Sequence, residues 1–278
     1  MASWWLRDIV VALPPWECPM STVSTHTLAP MVRKLQMWQP LSGDDVEAVL
    51  ALPHTVRALA AGQYIVWDGD KPQHTCLLLE GFAYRHKVAG NGNRQILSIH
   101  MKGDIVDLQN SLLGIADHNV QMLTAGQVVL IPVEAMRSLA FDYPQVGMAM
   151  WYETLVEGSI FREWIVNVGQ RNARTRIAHL LCEFAMRLEV AELGQHSNYE
   201  LPITQEQLGE AVSLTSVHVN RMLMQLEADG LISRTKRVIT IHDWPELAKT
   251  ADFEPRYLHL ESAGGGKTSM LKQEHRST

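Results

Sequence analysis

The chain has 278 residues and a formal net charge of −6, and 46% of its residues are apolar. This composition is typical of a globular chain, and no apolar stretch approaches the roughly 20 residues that a membrane-spanning helix needs. The cysteines Cys18, Cys76 and Cys182 lie far apart and form no CxxC motif, so we expect no disulfide framework and a reducing, cytoplasmic location. No arrangement of nucleophile and base or of paired carboxylates indicates an enzyme. We therefore expect no catalytic residue, no metal site and no cofactor.

Residues 1–29 are interpreted as an N-terminal extension outside the working protein. Residues 1–19 hold three Trp and three Pro without periodicity, and Met20 precedes a more ordinary sequence, so we expect translation to start there rather than at Met1. The segment lacks the basic beginning of a signal peptide. A short helix is predicted over residues 41–52, with Ser42 as its N-cap.

From about residue 56 to residue 133, short β-rich runs alternate with glycines. The predicted strands cover residues 64–67, 75–79, 82–88, 95–100 and 127–132, and the glycines and asparagines of residues 89–93 predict a hairpin turn. Many short strands at nearly even spacing indicate an antiparallel barrel or roll. Residues 30–143 are therefore predicted to form one domain built as a jelly-roll-like antiparallel β-roll.

A long helix is predicted over residues 144–170, after a shorter one over 134–139. Apolar side chains recur along it every three or four residues: Trp151, Leu155, Gly158, Phe161, Ile165 and Val168. The stripe is narrow and the helix is long, which favours pairing with a second copy of the chain. The alternative is that the stripe packs against the β-roll. A further helix is predicted over residues 172–189, followed by a loop over 193–200.

Residues 203–242 have the pattern of a winged helix-turn-helix. Thr204 and Gln207 form a capping box for a first helix, and Gly209 is small where a second helix must cross it. After a tight turn, Thr215 caps a second helix over 216–228, Gly230 suits its C-terminal cap, and a hairpin over 231–241 forms the wing. The alternative is a plain helical hairpin followed by two strands. We assign residues 171–245 to a winged helix-turn-helix, whose second helix fits the DNA major groove.

The outward face of this second helix gives the candidate DNA contacts. Four residues are expected to read bases: Ser216, Val217, Asn220 and Arg221. Six are expected to bind phosphates: Thr204, Thr215, His218, Arg234, Lys236 and Arg237. The net charge of −6 argues only weakly against DNA, because affinity depends on the charge near the phosphates. We expect modest, salt-sensitive non-specific binding.

Two further patterns resemble a phosphate-binding loop and a metal site. Residues 264–268 read Gly-Gly-Gly-Lys-Thr, but the first glycine of a P-loop and the preceding strand are missing, so we predict that residues 246–278 are a disordered tail. His179 and Glu183 lie one helical turn apart. Because no further ligands accompany them, we predict a surface contact rather than a metal site.

The order of β-roll, long helix and winged helix resembles the Crp/Fnr family of bacterial transcription regulators over about residues 30–245. Residues 203–212, 220–223 and 231–233 are similar to the DNA-binding motif of the family, and residues 161–171 look like its dimer helix. The glycines of residues 69–70, 79–81 and 103–104 are similar to those of its cyclic-nucleotide-binding roll. The resemblance implies an α+β fold with an N-terminal antiparallel β-roll, a long dimerisation helix and a C-terminal winged helix-turn-helix. It also implies a homodimer bound to an inverted repeat of double-stranded DNA, with RNA polymerase as a further partner and no membrane partner.

The sequence departs from the family pattern in the ligand loop. Cyclic-AMP-binding members carry Gly-Glu-Leu and then Arg-Ser, whereas this chain has Asp107-Leu108-Gln109 and then His118-Asn119; with Asp104, these residues are the expected effector pocket. Arginine is the fixed cation that suits a phosphate, and Asp107 repels one. We therefore predict a regulator that does not depend on cyclic AMP and whose effector is unknown. Two alternatives are a cyclic-AMP-dependent regulator with an atypical pocket, and a small-molecule sensor that acts through protein partners rather than DNA.

Two other departures concern the sensor type and the DNA site. Oxygen-sensing members hold an iron–sulfur cluster through several N-terminal cysteines, and only Cys18 lies in that region, which excludes this sensor on ligand count. In the DNA-reading helix, Ser216 and Val217 stand where family members often have Arg and Glu. We therefore expect the preferred DNA site to differ from the best-known consensus of the family.

Overall fold

The structure is a computed structural model, and it describes residues 27–260. Its first elements are two short helices, α1 (Ala29–Gln36) and α2 (Gly43–Leu50). Ser42 and Asp45 form a capping box at the start of α2, so the predicted helix and its cap are confirmed. The proposed start at Met20 and most of the predicted extension lie outside the described residues. Its boundary at residue 29 is wrong, because Leu28 is fully buried in the core beneath α1.

A roll of two four-stranded antiparallel sheets follows. Its strands are β1 (Thr55–Leu59), β2 (Tyr64–Val66), β3 (His74–Glu80), β4 (Ala83–Val88), β5 (Arg94–His100), β6 (Ile105–Val106), β7 (Asn119–Met122) and β8 (Gly126–Pro132). The strand orders are β1-β8-β3-β6 and β2-β7-β4-β5. An apolar cluster between the sheets, which includes Leu78, Val120 and Val128, forms the core of the roll. The predicted roll, its five strands and the turn over residues 89–93 are confirmed.

Three strands of the roll were not predicted from the sequence. β1 is mostly exposed, so it lacks the apolar alternation of a strand that is buried on one face. β6 has only two residues, and β7 is four residues long. These strands are defined by their partners rather than by local pattern, since β1 pairs with β8 along its whole length.

Helices α3 (Asn110–Leu113), α4 (Val133–Asp142) and α5 (Pro144–Gln170) complete the N-terminal part. The 27-residue helix α5 is the predicted long helix, with Pro144 in its first turn. Its buried residues include Val146, Met150, Val156 and Trp164, which lie off the predicted apolar stripe. The helix therefore packs on the rest of the chain with one face and leaves most of the stripe uncovered.

The C-terminal part contains α6 (Ala173–Val190), β9 (Asn198–Glu200), α7 (Gln205–Val212), α8 (Ser216–Ala228), β10 (Ile232–Thr235), β11 (Val238–Ile241), α9 (Trp244–Thr250) and a 3-10 turn (Pro255–Leu258). The winged helix-turn-helix is thus present with the predicted helices and wing. The prediction of a loop over residues 193–200 is wrong at its end. There β9 adds a third strand to the wing by pairing with β11, and it buries Tyr199.

The prediction of a disordered tail from residue 246 is wrong for residues 246–260. Leu247, Ala251 and Leu258 are buried, and the Tyr257 hydroxyl donates a hydrogen bond of 2.8 Å to Glu183 of α6. Widely spaced apolar residues hold this segment against α5 and α6, a pattern too sparse to recognise as periodic. Residues 261–278, with the Gly-Gly-Gly-Lys-Thr sequence, lie outside the described residues.

The helix-turn-helix domain packs directly against the roll. Arg94 of β5 forms an ion pair of 2.8 Å with Glu210 of α7, and the Gln95 amide donates to the carbonyl of Ala211. The Ser213 hydroxyl donates to Gln95 in return. One apolar cluster also runs from β4 and β5 of the roll into α6, α7 and α8. These contacts fix the orientation of the helix-turn-helix relative to the sensor domain.

Candidate nucleic-acid interface and the interior of the roll

The two helices of the helix-turn-helix begin at threonine caps. Thr204 Oγ1 accepts a hydrogen bond of 3.2 Å from the Gln207 amide, and the Gln207 side chain accepts one of 3.0 Å from the Thr204 amide. Thr215 Oγ1 accepts one of 3.3 Å from the His218 amide. Each hydroxyl uses an oxygen lone pair in its cap, and its hydrogen can still be donated to a phosphate. The predicted caps are therefore confirmed.

The turn between the two helices depends on one glycine and one left-handed residue. A Cβ atom on Gly209 would lie 2.3 Å from the carbonyl oxygen of Leu214, which is closer than van der Waals contact allows. Ser213 ends α7 with φ of 57°. The close crossing predicted at Gly209 is confirmed, and it sets the angle at which α8 is presented.

The outward face of α8 carries the four predicted base-reading residues. Val217 is 79% exposed, and Ser216 and Arg221 are also exposed, whereas Asn220 is half-buried and accepts a hydrogen bond of 3.1 Å from Gln205. Residues one turn apart on a helix share a face, so these four side chains form one continuous surface. On the opposite face of α8, Val219, Leu223 and Leu226 are buried.

The wing separates the predicted phosphate-binding cations into two groups. Arg234 is engaged within the chain, since its Nε and Nη2 atoms donate to Glu227 over 2.9 and 2.7 Å. The hydrogen bond from Arg234 lowers the pKa of Glu227. Lys236 and Arg237 lie exposed in the turn between β10 and β11. A phosphate can reach these two without breaking an ion pair, whereas at Arg234 it must compete with Glu227.

Inside the roll, a buried ion network joins Arg85, Asp107 and His118. Arg85 Nη2 lies 2.8 Å from Asp107 Oδ1, and His118 Nε2 lies 2.8 Å from the same oxygen. Arg85 Nη1 lies 2.5 Å from Glu157 of α5, so the network also ties the roll to the long helix. Sequence reasoning missed Arg85. A lone arginine in a predicted strand gives no sign that its side chain points into the roll.

Contacts within the network favour the charged forms of Asp107 and His118. Burial by itself would raise the pKa of Asp107, but the hydrogen bond from His118 and the charge of Arg85 lower it to about 2. Burial opposes protonation of His118, yet its contact with Asp107 raises the pKa of His118 above its ordinary value. The guanidinium of Arg85 is thus already neutralised by carboxylates of the protein itself.

Five of the six predicted pocket residues lie around this network or next to it. Leu108 and Asn119 are buried, and the Gln109 amide donates to Asp107 over 3.3 Å. His118 is 4% exposed and lies 2.8 Å from Asp107. Asp104 lies elsewhere. It pairs with Lys34 of α1 and Arg187 of α6, so it does not share the environment of the other five.

The predicted apolar stripe of α5 lies largely at the surface of the chain. Trp151, Leu155 and Ile165 are 61%, 53% and 68% exposed, and Gly158, Phe161 and Val168 are half-buried. The Phe161 ring stacks under Arg85 at 5.5 Å, so only this member reaches toward the roll network. The alternative that the stripe packs against the roll does not describe this arrangement. An exposed apolar stripe of this length is typical of a protein interface.

The interpretation of His179 and Glu183 as a surface contact is wrong. Both are 1% exposed, and Glu183 accepts hydrogen bonds from Trp164 of α5 and Tyr257 of the 3-10 turn. His179 lies 3.1 Å from the Tyr257 hydroxyl. The pair therefore links the long helix, α6 and the C-terminal segment. Within residues 27–260, no three His, Cys, Asp or Glu side chains are grouped to hold a metal ion.

The two cysteines of the described part are small core residues. Cys76 in β3 and Cys182 in α6 are both buried and unbridged. Burial raises the pKa of both thiols, which keeps them protonated and unreactive. Cys18 lies outside the described residues.

Two family models match the chain. Residues 56–143 match the cyclic nucleotide-binding domain, and residues 175–250 match the Crp-like helix-turn-helix domain. No helix within the described range is long and apolar enough to cross a membrane. A sensor roll, a long helix and a helix-turn-helix in this order define a transcriptional regulator that carries sensor and DNA-binding domains in one chain.

Similar proteins and structures agree with both models. The transcriptional activator protein FnrL of Cereibacter sphaeroides is 29% identical over 199 residues, which cover 70% of this chain and 79% of FnrL. The fumarate and nitrate reduction regulatory protein of Escherichia coli K12 is 24% identical over 70% of this chain and 78% of its own length. The structure of FixK2 from Bradyrhizobium japonicum matches with a TM-score of 0.65 and 21% identity, covering 72% of this chain and 98% of FixK2. The chain belongs to the Crp/Fnr family of transcriptional regulators, whose members found here are regulators rather than enzymes.

Proposed function

We propose that this regulator is a cytoplasmic homodimer that recognises an inverted repeat of double-stranded DNA and does so without cyclic AMP. The observation that carries the proposal is the outward face of α8. There Ser216, Val217 and Arg221 are exposed around Asn220, on a helix whose position is fixed by two caps and a close crossing. A face of this kind matches the dimensions of the DNA major groove.

Each residue of this face is given a role by its chemistry. Arg221 donates two hydrogen bonds to a guanine edge, and Asn220 and Ser216 bond to neighbouring bases. Val217 contacts a thymine methyl group, which favours a site unlike that of relatives with a glutamate at this position. Thr204, Thr215, His218, Lys236 and Arg237 hold phosphates, and Arg234 does so after exchange with Glu227.

The dimer brings two reading helices to one DNA molecule. In the proposed assembly, the exposed stripe of α5 packs against the same stripe of a second copy, and the two-fold axis lies along the helix pair. Two α8 helices then face successive major grooves roughly 34 Å apart, which requires an inverted repeat. RNA polymerase is the further partner that the family implies.

Independence from cyclic AMP is supported by the interior of the roll. A cyclic phosphate needs an unneutralised cation, but Arg85 is 3% exposed and already bonded to Asp107 and Glu157. A bound phosphate would lie near a carboxylate whose pKa is about 2 and which stays ionised at all ordinary pH values. The buried residues of the roll therefore do not fit a cyclic nucleotide.

The ion network around Arg85 also connects movements of the roll to the long helix. Because Arg85 joins β4 of the roll to Glu157 of α5, a shift of the roll displaces the long helix. Movement of α5 changes the spacing of the two reading helices, so the dimer can exist in two geometries with different DNA affinity. The ion pair between Arg94 and Glu210 is a second link between roll and helix-turn-helix.

The test is a binding selection of genomic fragments by the purified full chain at near-physiological salt, with and without cyclic AMP. The proposal expects one inverted repeat to be enriched to the same degree in both conditions, and Arg221→Ala to lose that enrichment. Enrichment only with cyclic AMP would contradict independence from cyclic AMP and favour a cyclic-AMP-dependent regulator with an atypical pocket. Absence of enrichment in both conditions would favour a regulator that acts through protein partners.

A further inference from the structure

A cavity lies outside the interior of the roll, between the roll and helix α6 of the C-terminal domain. Its volume is about 360 Å³, within the lower range of small-molecule sites. Helix α1, the loop before β6, helix α5, the end of α6 and the C-terminal segment around Leu258 all line it. The lining therefore joins the roll, the long helix and α6, but it includes no residue of the helix-turn-helix or the wing.

The inner polar wall of the cavity is built around Asp104. Lys34 Nζ lies 2.9 Å from one oxygen of Asp104, and Arg187 Nη2 lies 3.3 Å from the other. Lys34 also lies 3.3 Å from Glu153, which accepts a hydrogen bond from the Trp38 indole. Charges at this depth are thus balanced within the protein, and they fix α1, the roll, α5 and α6 relative to one another.

The rim of the cavity has a different charge balance. Arg33 and Lys102 line it, are exposed, and take part in none of the ion pairs formed among residues 27–260. Glu192 is the exposed acid on the same rim. The unpaired charge therefore favours an anion. Ser98, His100 and Glu157 also line the cavity, and Glu157 is paired with Arg85 of the roll. The apolar part of the wall includes Met37, Met101, Ile105, Val156, Ile160 and Val190.

We propose that this cavity binds a small organic acid, a carboxylate or sulfonate group attached to an apolar ring or short chain. The acid group lies at the rim between Arg33 and Lys102, and the apolar body lies along Val156 and Ile160. The ligand then bridges α1 of the sensor domain and the end of α6, whose Arg187 is part of the same wall. Such a ligand stabilises one orientation of the DNA-binding domain.

The binding test uses two fluorescent probes on the full chain. The first, 8-anilinonaphthalene-1-sulfonate, has the proposed chemistry; the second, N-phenyl-1-naphthylamine, has the same rings without the acid. Reversing the rim charges with Arg33→Glu and Lys102→Glu is expected to weaken the sulfonate at least about tenfold and to leave the neutral probe unchanged. The matched control is Arg57→Glu with Lys71→Glu, two exposed cations outside the cavity lining that change the net charge equally.

The outcomes separate the site from unspecific adsorption. Weakening of the sulfonate by the rim pair alone supports the proposal. Equal weakening by both pairs, no effect of the rim pair, or failure of both probes to bind would overturn it. A second arm measures the affinity for the selected DNA with and without the sulfonate, and this arm rests on the proposed function. Because the titration needs no DNA, failure of the site and failure of DNA recognition are distinguishable.

Discussion

The DNA-reading helix and the interior of the roll both carry polar side chains, but in opposite states. On α8, Arg221 is exposed and Val217 is 79% exposed, so the face is completed only by a partner. In the roll, Arg85 and Asp107 are 3% and 1% exposed and form an ion pair of 2.8 Å. The outward face of α8 therefore remains open to a partner, whereas the interior of the roll is filled by ion pairs of the protein itself.

The strongest way to break this comparison is to open the roll network. Arg85→Met leaves the Asp107 carboxylate buried without its main cation, and we expect a loss of about 3–5 kcal/mol in the free energy of unfolding. Urea unfolding followed by circular dichroism measures it. The double variant Arg85→Met with Asp107→Leu removes both charges and is expected to recover most of the loss. Equal destabilisation in single and double variants would show that the pair is not the source of the effect.

The apolar stripe of α5 gives the next largest effect. Ile165→Asp puts a charge into the proposed dimer interface from both copies, and we expect association to weaken at least about a hundredfold. Sedimentation equilibrium measures the dimer dissociation constant. Phe141→Asp is the matched control, because Phe141 is 74% exposed on α4 and lies outside the long helix. Unchanged association in Ile165→Asp would contradict the assignment of the interface.

On the open side of the comparison, Arg221→Ala is expected to cost about 1–3 kcal/mol of specific DNA affinity and to relax specificity at one base pair. Fluorescence anisotropy on the selected repeat and on single-base variants measures both effects. Arg256→Ala is the control, since it removes the same charge from a side chain that is 84% exposed on the C-terminal segment. A variant with unaltered specific affinity would refute the role of Arg221.

The wing contains one cation of each kind: Lys236 is exposed, whereas Arg234 is paired with Glu227. Lys236→Ala is expected to reduce the slope of log affinity against log salt by about 1, the result for one lost phosphate contact. Arg234→Ala is expected to change the slope less, because Arg234 is bonded to Glu227 before DNA arrives. Salt titrations of DNA binding measure the two slopes. An equal reduction in both variants would mean that the ion pair with Glu227 is lost on DNA.

The smallest expected effect is a pH dependence from His118. Contact with Asp107 raises the pKa of His118, so its stabilising contribution is full below about pH 6.5 and is lost as pH rises through the raised value. Asp117 and Arg85 also act on His118, with opposite signs. The unfolding free energy of the wild type, relative to His118→Gln, should fall as the pH rises from about 6.5 into the mildly alkaline range. A constant difference across this range would show that His118 does not hold its proton more tightly when folded.

The same contrast explains how far the sequence alone could lead. The winged helix is predictable because its determinants are local: the caps at Thr204 and Thr215, the small Gly209 and the inward Leu223 all act within a few residues. The roll interior is not, because Arg85 meets Asp107 and Glu157 across 22 and 72 positions of sequence. The folded segment after residue 246 was missed for the same reason, since Tyr257 is held by Glu183 from a distant helix.

The measurement that tests the account most directly is a titration of the selected inverted repeat with wild-type protein, with and without saturating cyclic AMP. We expect the same midpoint in both titrations, because Arg85 inside the roll is already paired with Asp107 and the outward face of α8 is exposed without a ligand. Binding that appears only in the presence of cyclic AMP would contradict it.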